Sequence, residues 1–131
     1  MASIRQAPRL PLAFAAWSLF VWVGRIRNAM ADDTLSGGEK AFDVLMAVTF
    51  VVLGAALLVA LLRSGPVRAL VAALGIATVG LWAVKGTLIW FHDHELAFKL
   101  VHTVLAVVSV GLAAAAWRSL QRAPAAELVD A

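Results

Sequence analysis

Apolar and polar residues occur in long separate blocks along this chain. Four mostly apolar stretches, at positions 10–31, 36–62, 66–91 and 93–117, are separated by short polar segments. About 20 mostly apolar helical residues cross a bilayer core, whereas half-buried strands need a two-residue alternation that these stretches lack. The pattern predicts an all-α, polytopic membrane protein, with a bundle of four transmembrane helices within residues 1–122.

The polar segments carry signals for helix ends. Ser36-Gly37-Gly38-Glu39 predicts a capping box, in which the serine and glutamate side chains each accept a free backbone N–H. Ser64-Gly65-Pro66 ends one helix and places a proline at the start of the next, where no N–H is needed. Asp93 is a candidate N-cap for the fourth helix. Residues 123–131 have no apolar face, so we expect a disordered cytoplasmic tail there.

The composition also favours a membrane location. Of the 131 residues, 63% are hydrophobic and only 15% are charged, against roughly 45–50% and about 25% in a soluble domain. The absence of cysteine excludes disulfides, thiolate metal sites and cysteine nucleophiles. The net charge of +3 comes from cations scattered between apolar runs, so no basic patch for nucleic acid forms. We expect lipid, and no nucleic acid, as a partner.

The charges predict an orientation. Arginines flank one set of helix ends, at Arg5, Arg9, Arg63, Arg68, Arg118 and Arg122, and acids flank the other, at Asp32, Asp33, Glu39, Asp43, Asp93 and Glu95. Basic residues near helix ends stay cytoplasmic. We therefore expect both termini inside and the first and third loops outside, in a bacterial inner membrane.

A cleaved signal peptide is the alternative interpretation of the first stretch. Arg5 and Arg9 precede an apolar run, and Ala29-Met30-Ala31 has the small-residue pattern of a cleavage site. Arg25 and Arg27 lie between that run and the site, however, where cations are unfavourable. The stretch is therefore interpreted as a retained helix.

The chain contains two similar hairpins, which suggests an internal duplication. Ser18, Trp22 and Arg25 have the spacing of Thr78, Trp82 and Lys85, 60 positions later, and Glu39 and Phe42 match Glu95 and Phe98, 56 positions later. Because both halves start on the inside, this would be a parallel repeat about an axis along the membrane normal. Chance similarity is the alternative. Each tryptophan also lies three residues before a cation, a spacing that permits cation–π contact.

An embedded charged layer is predicted near the outer loops. Its members are Arg25, Asp43, Lys85, Lys99 and His102, and a rise of 1.5 Å per residue puts the first of them about 9 Å from its helix end. A charge facing hydrocarbon costs at least ~2.5–3.5 kcal/mol, so these groups should face inward. One interpretation is a structural latch of Arg25–Asp43 and Lys85–Glu95 pairs. The other is a site for an anion or a lipid phosphate.

The sequence offers little for metal or enzyme chemistry. The candidate ligands His92, His94, Glu95 and His102 are weak, because Glu95 and His102 lie about 10 Å apart along a helix and one tetrahedral ion needs ligands near 2 Å. No second helix offers a histidine for haem. No nucleophile with a base and no glycine-rich phosphate loop is present. We expect no catalytic residue, no cofactor and no bound metal.

Two stretches carry a family resemblance. Trp22-Val23-Gly24-Arg25-Ile26-Arg27-Asn28 and Ala97-Phe98-Lys99-Leu100-Val101-His102-Thr103, in an Ala/Val/Arg-rich chain, resemble small four-helix integral membrane proteins of actinobacteria. The resemblance covers the whole chain and implies a four-helix membrane fold without an established activity. Small multidrug transporters instead require an embedded glutamate in the first helix, and small fluoride channels a glycine-rich arginine motif.

Three functions follow as hypotheses. The first is an accessory or assembly subunit that acts through helix contacts, as a homo-oligomer or in a larger membrane complex. The second is a small oligomeric transporter or channel in which Arg25 and Lys85 contact an anion or lipid headgroup. The third is an extracytoplasmic metal or proton sensor that uses the histidines. The first is favoured, because the inner halves of the helices are almost wholly apolar and offer no polar path.

Overall fold

The computed structural model describes residues 9–122, which form four α-helices and no strand. They are α1 (Arg9–Ala31), α2 (Gly37–Arg63), α3 (Val67–Phe91) and α4 (Leu96–Arg122). Helices of 23 to 27 residues are about 35 to 40 Å long. Each is long and apolar enough to cross a membrane, so the chain has the architecture of a multi-pass helical membrane protein.

The helices form a ring. Each packs on its neighbours in sequence, and α1 closes the ring against α4, while the diagonal pairs barely touch. Contact is most extensive between α1 and α2 and least extensive between α2 and α3. Short loops make consecutive helices antiparallel. We call the end with the α2–α3 loop the single-loop end, and the end with the α1–α2 and α3–α4 loops the two-loop end.

The first three helices begin and end within one residue of the predicted positions, but the fourth is shifted. α4 begins at Leu96 rather than Asp93, and its first turn is closed by the Lys99 N–H donating to the Glu95 carbonyl at 3.1 Å. It also runs five residues past the predicted end, because Leu120 is buried in the core. The predicted tail at 123–131 lies outside the described residues.

The two loops around α2 are fixed by specific contacts. The Ser36 hydroxyl accepts the Glu39 N–H at 3.1 Å, which is the serine half of the predicted capping box. At the other end of α2, Ser64 takes a left-handed conformation, with φ 56°. The Gly65 N–H then donates to the Ala60 carbonyl at 2.8 Å. A Cβ at Gly65 would lie 2.9 Å from the Ala60 Cβ, so this turn requires glycine.

The α1–α2 loop has a polar turn of its own. The Thr34 hydroxyl and the Thr34 N–H both donate to one carboxylate oxygen of Asp32. These two bonds stabilise the ionised carboxylate and so lower the pKa of Asp32. The loop outside the membrane-spanning segments is therefore ordered by local hydrogen bonds rather than by burial.

The core is packed more densely toward the single-loop end. Its buried members there come from all four helices: Phe14, Ala15, Leu57, Leu61, Val71, Leu74, Ala113, Ala116 and Leu120. Toward the two-loop end, α1, α2 and α3 still bury Trp22, Phe50 and Ile89. α4 buries no side chain from Leu96 to Val108. In the half of the bundle at the two-loop end, α4 therefore contributes half-buried but no fully buried side chains.

Candidate functional site

One charged residue on each of α1 and α3 continues a stripe of buried residues along one face of its helix. On α1, Ser18 and Trp22 are buried, and Arg25 follows on the same face. On α3, Thr78 and Trp82 are buried, and Lys85 follows at the same spacing. Residues four and then three positions apart stack on one side of a helix. The helical period that buries these polar and aromatic side chains therefore also directs the two cations into the bundle.

Arg25 is held by an ion pair to α2. Its Nη2 donates to the Asp43 Oδ2 at 2.7 Å, and the two side chains are 33% and 16% exposed. Asp43 lies one turn before the buried Ala47, on the same face of α2. This is the only ion pair within residues 9–122, and it joins the two helices that make the most extensive contact.

Lys85 is the cation that this pairing leaves over. It is half-buried and close enough for the charges of both Arg25 and Asp43 to act on it. The expected Lys85–Glu95 pair does not form: Glu95 is exposed and joins no ion pair in the described part of the chain. Two cations and one acid thus share the interior, and the group carries a net positive charge. We call Arg25, Asp43 and Lys85 the embedded cluster.

Three buried polar atoms on the same two stripes have no hydrogen-bond partner among residues 9–122. They are the Arg25 Nε, the Thr78 Oγ1 and the Trp82 Nε1. Each can donate a hydrogen bond. Leaving a buried donor unsatisfied costs about 1–3 kcal/mol, and native proteins leave few such groups unpaired. The interior beside the embedded cluster is therefore rich in free donors.

The tryptophans of these stripes do not stack on their cations. Trp22 lies instead against Phe50, with ring centroids 4.3 Å apart and planes at 16°. The cation–π contacts in the described residues join Lys99 to Trp90 and Arg68 to Trp117. The cation–π contacts that the spacing permits, of Trp22 with Arg25 and of Trp82 with Lys85, are therefore not found among the described residues. The cations are left with free surface for other partners.

Two members of the predicted charged layer, Lys99 and His102, contact residues outside that layer. Lys99 donates to the Trp90 carbonyl at 3.4 Å and lies 5.6 Å from that ring. The His102 ring lies against Phe98, with centroids 4.0 Å apart and planes tilted by 31°, and its Nδ1 bonds the Phe98 carbonyl at 2.8 Å. Both lie on the part of α4 that buries nothing. Arg25, Asp43 and Lys85 therefore gather without a direct partner from α4.

The candidate metal ligands are dispersed. The His92 Nδ1 bonds the Leu88 carbonyl at 2.6 Å, and His94 stacks on Phe98 with centroids 4.6 Å apart. Glu95 is exposed, and His102 faces Phe98. Within residues 9–122 no three histidine or acidic side chains come together in a way that could hold an ion.

The two hairpins share some contacts and differ in others. Lys40 donates to the Met30 carbonyl and Lys99 to the Trp90 carbonyl, each at 3.4 Å, and the two acceptors are 60 positions apart. The lysines are not at matching positions, because the residue 56 positions after Lys40 is Leu96. Glu39, Phe42, Glu95 and Phe98 are all exposed. The stack of Trp22 on Phe50 has no aromatic counterpart, because the position 56 residues after Phe50 is Ala106. The likeness is therefore partial.

A hydrogen bond closes the seam between α1 and α4 at one depth, and the seam is more open toward the two-loop end. The Trp17 Nε1 donates to the Ser109 Oγ at 2.9 Å, a bond for which the sequence carried no signal beyond one polar residue in an apolar helix. Two turns nearer the two-loop end, on the same face of α1, a Cβ at Gly24 would meet nothing within 4 Å. There the Trp90 Nε1 on α3 donates a hydrogen bond to the Thr103 Oγ1 on α4 at 2.8 Å. In this part of the described chain the side-chain hydrogen bonds of α4 to another helix therefore run to α3 and not to α1.

The arrangement has the chemistry of an anion site. An arginine with a free N–H pairs with one carboxylate, a half-buried lysine lies near them, and two further free donors lie deeper on the same face of α3 as that lysine. No family model matches the chain, and no curated protein and no solved structure matches it either. Any functional conclusion therefore depends on this geometry.

Proposed function

We propose that this chain is a small multi-pass membrane protein that binds an anionic group at the embedded cluster. The observation that carries the proposal is the surplus cation Lys85, beside an Arg25–Asp43 pair that is already neutral. A charge at membrane depth without a partner costs at least ~2.5–3.5 kcal/mol. A bound anion would remove that cost and would also satisfy the free donors of α1 and α3.

A purely structural latch explains fewer features of the embedded cluster than anion binding does. It explains why Arg25 and Asp43 are paired across α1 and α2, since polar pairs hold membrane helices together. It gives no reason for a second cation in the same place, or for three unpartnered polar atoms around it. An anion of one or two negative charges balances the group, and this is why binding is proposed in addition to the latch.

The membrane context is part of the same proposal. We infer that the protein lies in a bacterial inner membrane with both termini cytoplasmic, because the arginines flank the single-loop end and the chain termini. The two-loop end and the embedded cluster then belong to the outer leaflet.

The experiment measures thermal unfolding of the purified chain in detergent with inorganic phosphate or a water-soluble short-chain phosphatidic acid. We expect at least one probe to raise the Tm of the native protein. A ligand at 100 times its Kd stabilises by about 2.7 kcal/mol. Lys85→Met should abolish the shift, because it removes the surplus cation and leaves the Arg25–Asp43 pair intact.

Lys40→Met is the matched control. It removes the same charge from the same end of the bundle, where Lys40 contacts only the Met30 carbonyl in the described chain. It should keep the ligand-dependent shift. Equal shifts in the native protein and both variants, or no shift with either probe, would rule out anion binding at the cluster.

An accessory subunit is the second candidate, and one observation favours it. From Leu96 to Val108, α4 buries no side chain, although it carries Lys99 and His102. Polar side chains at membrane depth usually face protein, so another membrane helix, from a second copy or a larger complex, would fit there. Cross-linking from a cysteine at Val104, compared with one at Val52 on the exposed face of α2, tests this association. Equal cross-linking at the two positions would count against it.

A further inference from the structure

We infer that the anion is the phosphate of a phospholipid, which reaches the embedded cluster sideways through the open seam between α1 and α4. This rests on the proposed function, since it identifies the ligand of that same site. Three features carry the inference: the place where the seam opens, the depth of the cations, and the donors that lie beneath them.

The seam offers a path from the bilayer. The Trp17–Ser109 bond closes it; nearer the two-loop end a Cβ at Gly24 would meet no atom within 4 Å, and no α4 side chain from Leu96 to Val108 is fully buried. Val21 on α1 and Leu105 on α4 share the faces of Trp17 and Ser109 one turn above that bond, so the walls of the opening are apolar. A hydrated free anion would lose its water shell against such walls. A lipid brings acyl chains that match them.

The depth suits a lipid phosphate. Arg25 and Lys85 each lie six residues before the end of their helix, at Ala31 and Phe91, so their Cα atoms are about 9 Å below the helix ends. These helices are a few ångström longer than the roughly 30 Å hydrocarbon core. Long cationic side chains also extend toward the headgroups. A phosphate therefore needs to sink only slightly below the headgroup plane to meet both cations.

The deeper donors distinguish a phospholipid from a free anion. Trp82 lies three residues below Lys85 on α3, about 4.5 Å further into the membrane, and Thr78 one turn below that. Their free Nε1 and Oγ1 atoms are neutral donors. In a glycerophospholipid the neutral ester carbonyls lie on the acyl side of the phosphate. From the two-loop end inward, the protein therefore presents cations and then neutral donors. The lipid presents its phosphate and then its neutral ester carbonyls in the same order.

The test uses the full chain and counts the phosphatidylglycerol that it retains through purification, by native mass spectrometry, with diacylglycerol as the phosphate-free comparison. Gly24→Phe places a ring on the seam face of α1 and keeps every residue of the cluster, and a Cβ at Gly24 would meet no atom within 4 Å. Gly80→Phe is the matched control, because Gly80 is exposed on α3 and has equally open space. Gly24→Leu serves the same purpose should the phenylalanine variant not purify as a folded protein.

We expect the native chain and Gly80→Phe to retain phosphatidylglycerol in preference to diacylglycerol. Gly24→Phe should lower the affinity by about tenfold or more, a factor that corresponds to 1.4 kcal/mol. Lys85→Met should do the same. Stabilisation by inorganic phosphate, where the native protein shows it, should persist in Gly24→Phe, because its cluster is unchanged.

Two results would overturn the inference while leaving anion binding intact. One is stabilisation by inorganic phosphate with no retained phospholipid. The other is equal retention of phosphatidylglycerol by Gly24→Phe and Gly80→Phe. Equal retention of diacylglycerol and phosphatidylglycerol would show that the acyl chains alone are held and would overturn it as well. Failure of every phosphate-bearing probe to bind the native chain would instead remove the proposed function itself.

Discussion

Arg25 and Asp43 depend on each other more than on the rest of the chain. Each is the only ion-pair partner of the other among the described residues, and neither has a second charged group of opposite sign in direct contact. Removing Asp43 leaves Arg25 and Lys85 as two cations without a counter-charge, whereas removing Arg25 leaves Asp43 with Lys85. Removing both leaves an apolar contact between α1 and α2, the two helices that are already most closely packed.

This mutual dependence predicts a non-additive mutant cycle. Arg25→Leu and Asp43→Leu should each destabilise the protein, by less than the ~3–5 kcal/mol of a fully buried pair, because the Arg25 side chain is 33% exposed. The double variant should be milder than Asp43→Leu alone, because it leaves one cation without a counter-charge instead of two. Unfolding in detergent of the three variants gives the coupling energy. Small, additive effects would mean that the pair does not stabilise the bundle.

The sequence could predict this pair but not the isolation of Lys85. Axial depth follows from residue count, and Arg25 and Asp43 lie at similar depths on helices joined by a short loop. Lys85 and Glu95 satisfy the same criterion, yet Glu95 precedes α4 and is exposed. The rotation and tilt of α4, which decide whether a side chain faces the interior, depend on packing with α1 and α3. Residue spacing along one helix carries no such information.

At the scale of elements, α4 is the helix with two different halves. From Ser109 onward it packs into the core, and before Ser109 it contributes no buried side chain. The apolar pattern predicted the helix itself. It missed the last turn, because Leu120 is buried there but its sequence neighbours are polar. It also placed the start of the helix at Asp93, where the chain is still a loop.

The turn between α2 and α3 is the element most sensitive to a single methyl group. Gly65→Ala should destabilise by about 1–3 kcal/mol, the usual cost of an overpacked contact, since the new Cβ would lie 2.9 Å from the Ala60 Cβ. Gly80→Ala is the control, because the same methyl group meets nothing there and alanine favours helix over glycine. Thermal unfolding in one detergent compares the two, and equal Tm values would contradict the close contact.

For the whole molecule, the arrangement of charge predicts a direction in the membrane. The chain has no cysteine, so single cysteines report without background. In intact cells a cysteine at Thr34 should react with an impermeant thiol reagent, and one at Ser64 should react only after lysis. Both positions are exposed, so the difference would come from the membrane. Labelling of Ser64 from outside would reverse the proposed orientation.

The fold as a whole was more predictable than the site. Four apolar stretches give four helices, because a backbone in hydrocarbon must satisfy its own hydrogen bonds. The opening between α1 and α4 depends on contacts between residues such as Trp17 and Ser109, 92 positions apart, which no local pattern encodes. The duplication stays a prediction, and it is weakened by the Trp22–Phe50 stack, which has no aromatic counterpart in the second hairpin.

The pairing of Arg25 with Asp43 has a consequence for biosynthesis. Chains emerge from the ribosome N-terminal end first, so α1, the least apolar of the four helices, is made before its counter-charge, which follows 18 residues later. An arginine alone in the bilayer is costly. α1 is therefore expected to wait at the translocon until α2 has been synthesised. The first hairpin would then partition into lipid as one unit in which Asp43 neutralises Arg25. Asp43, a residue of α2, would thereby promote the insertion of α1.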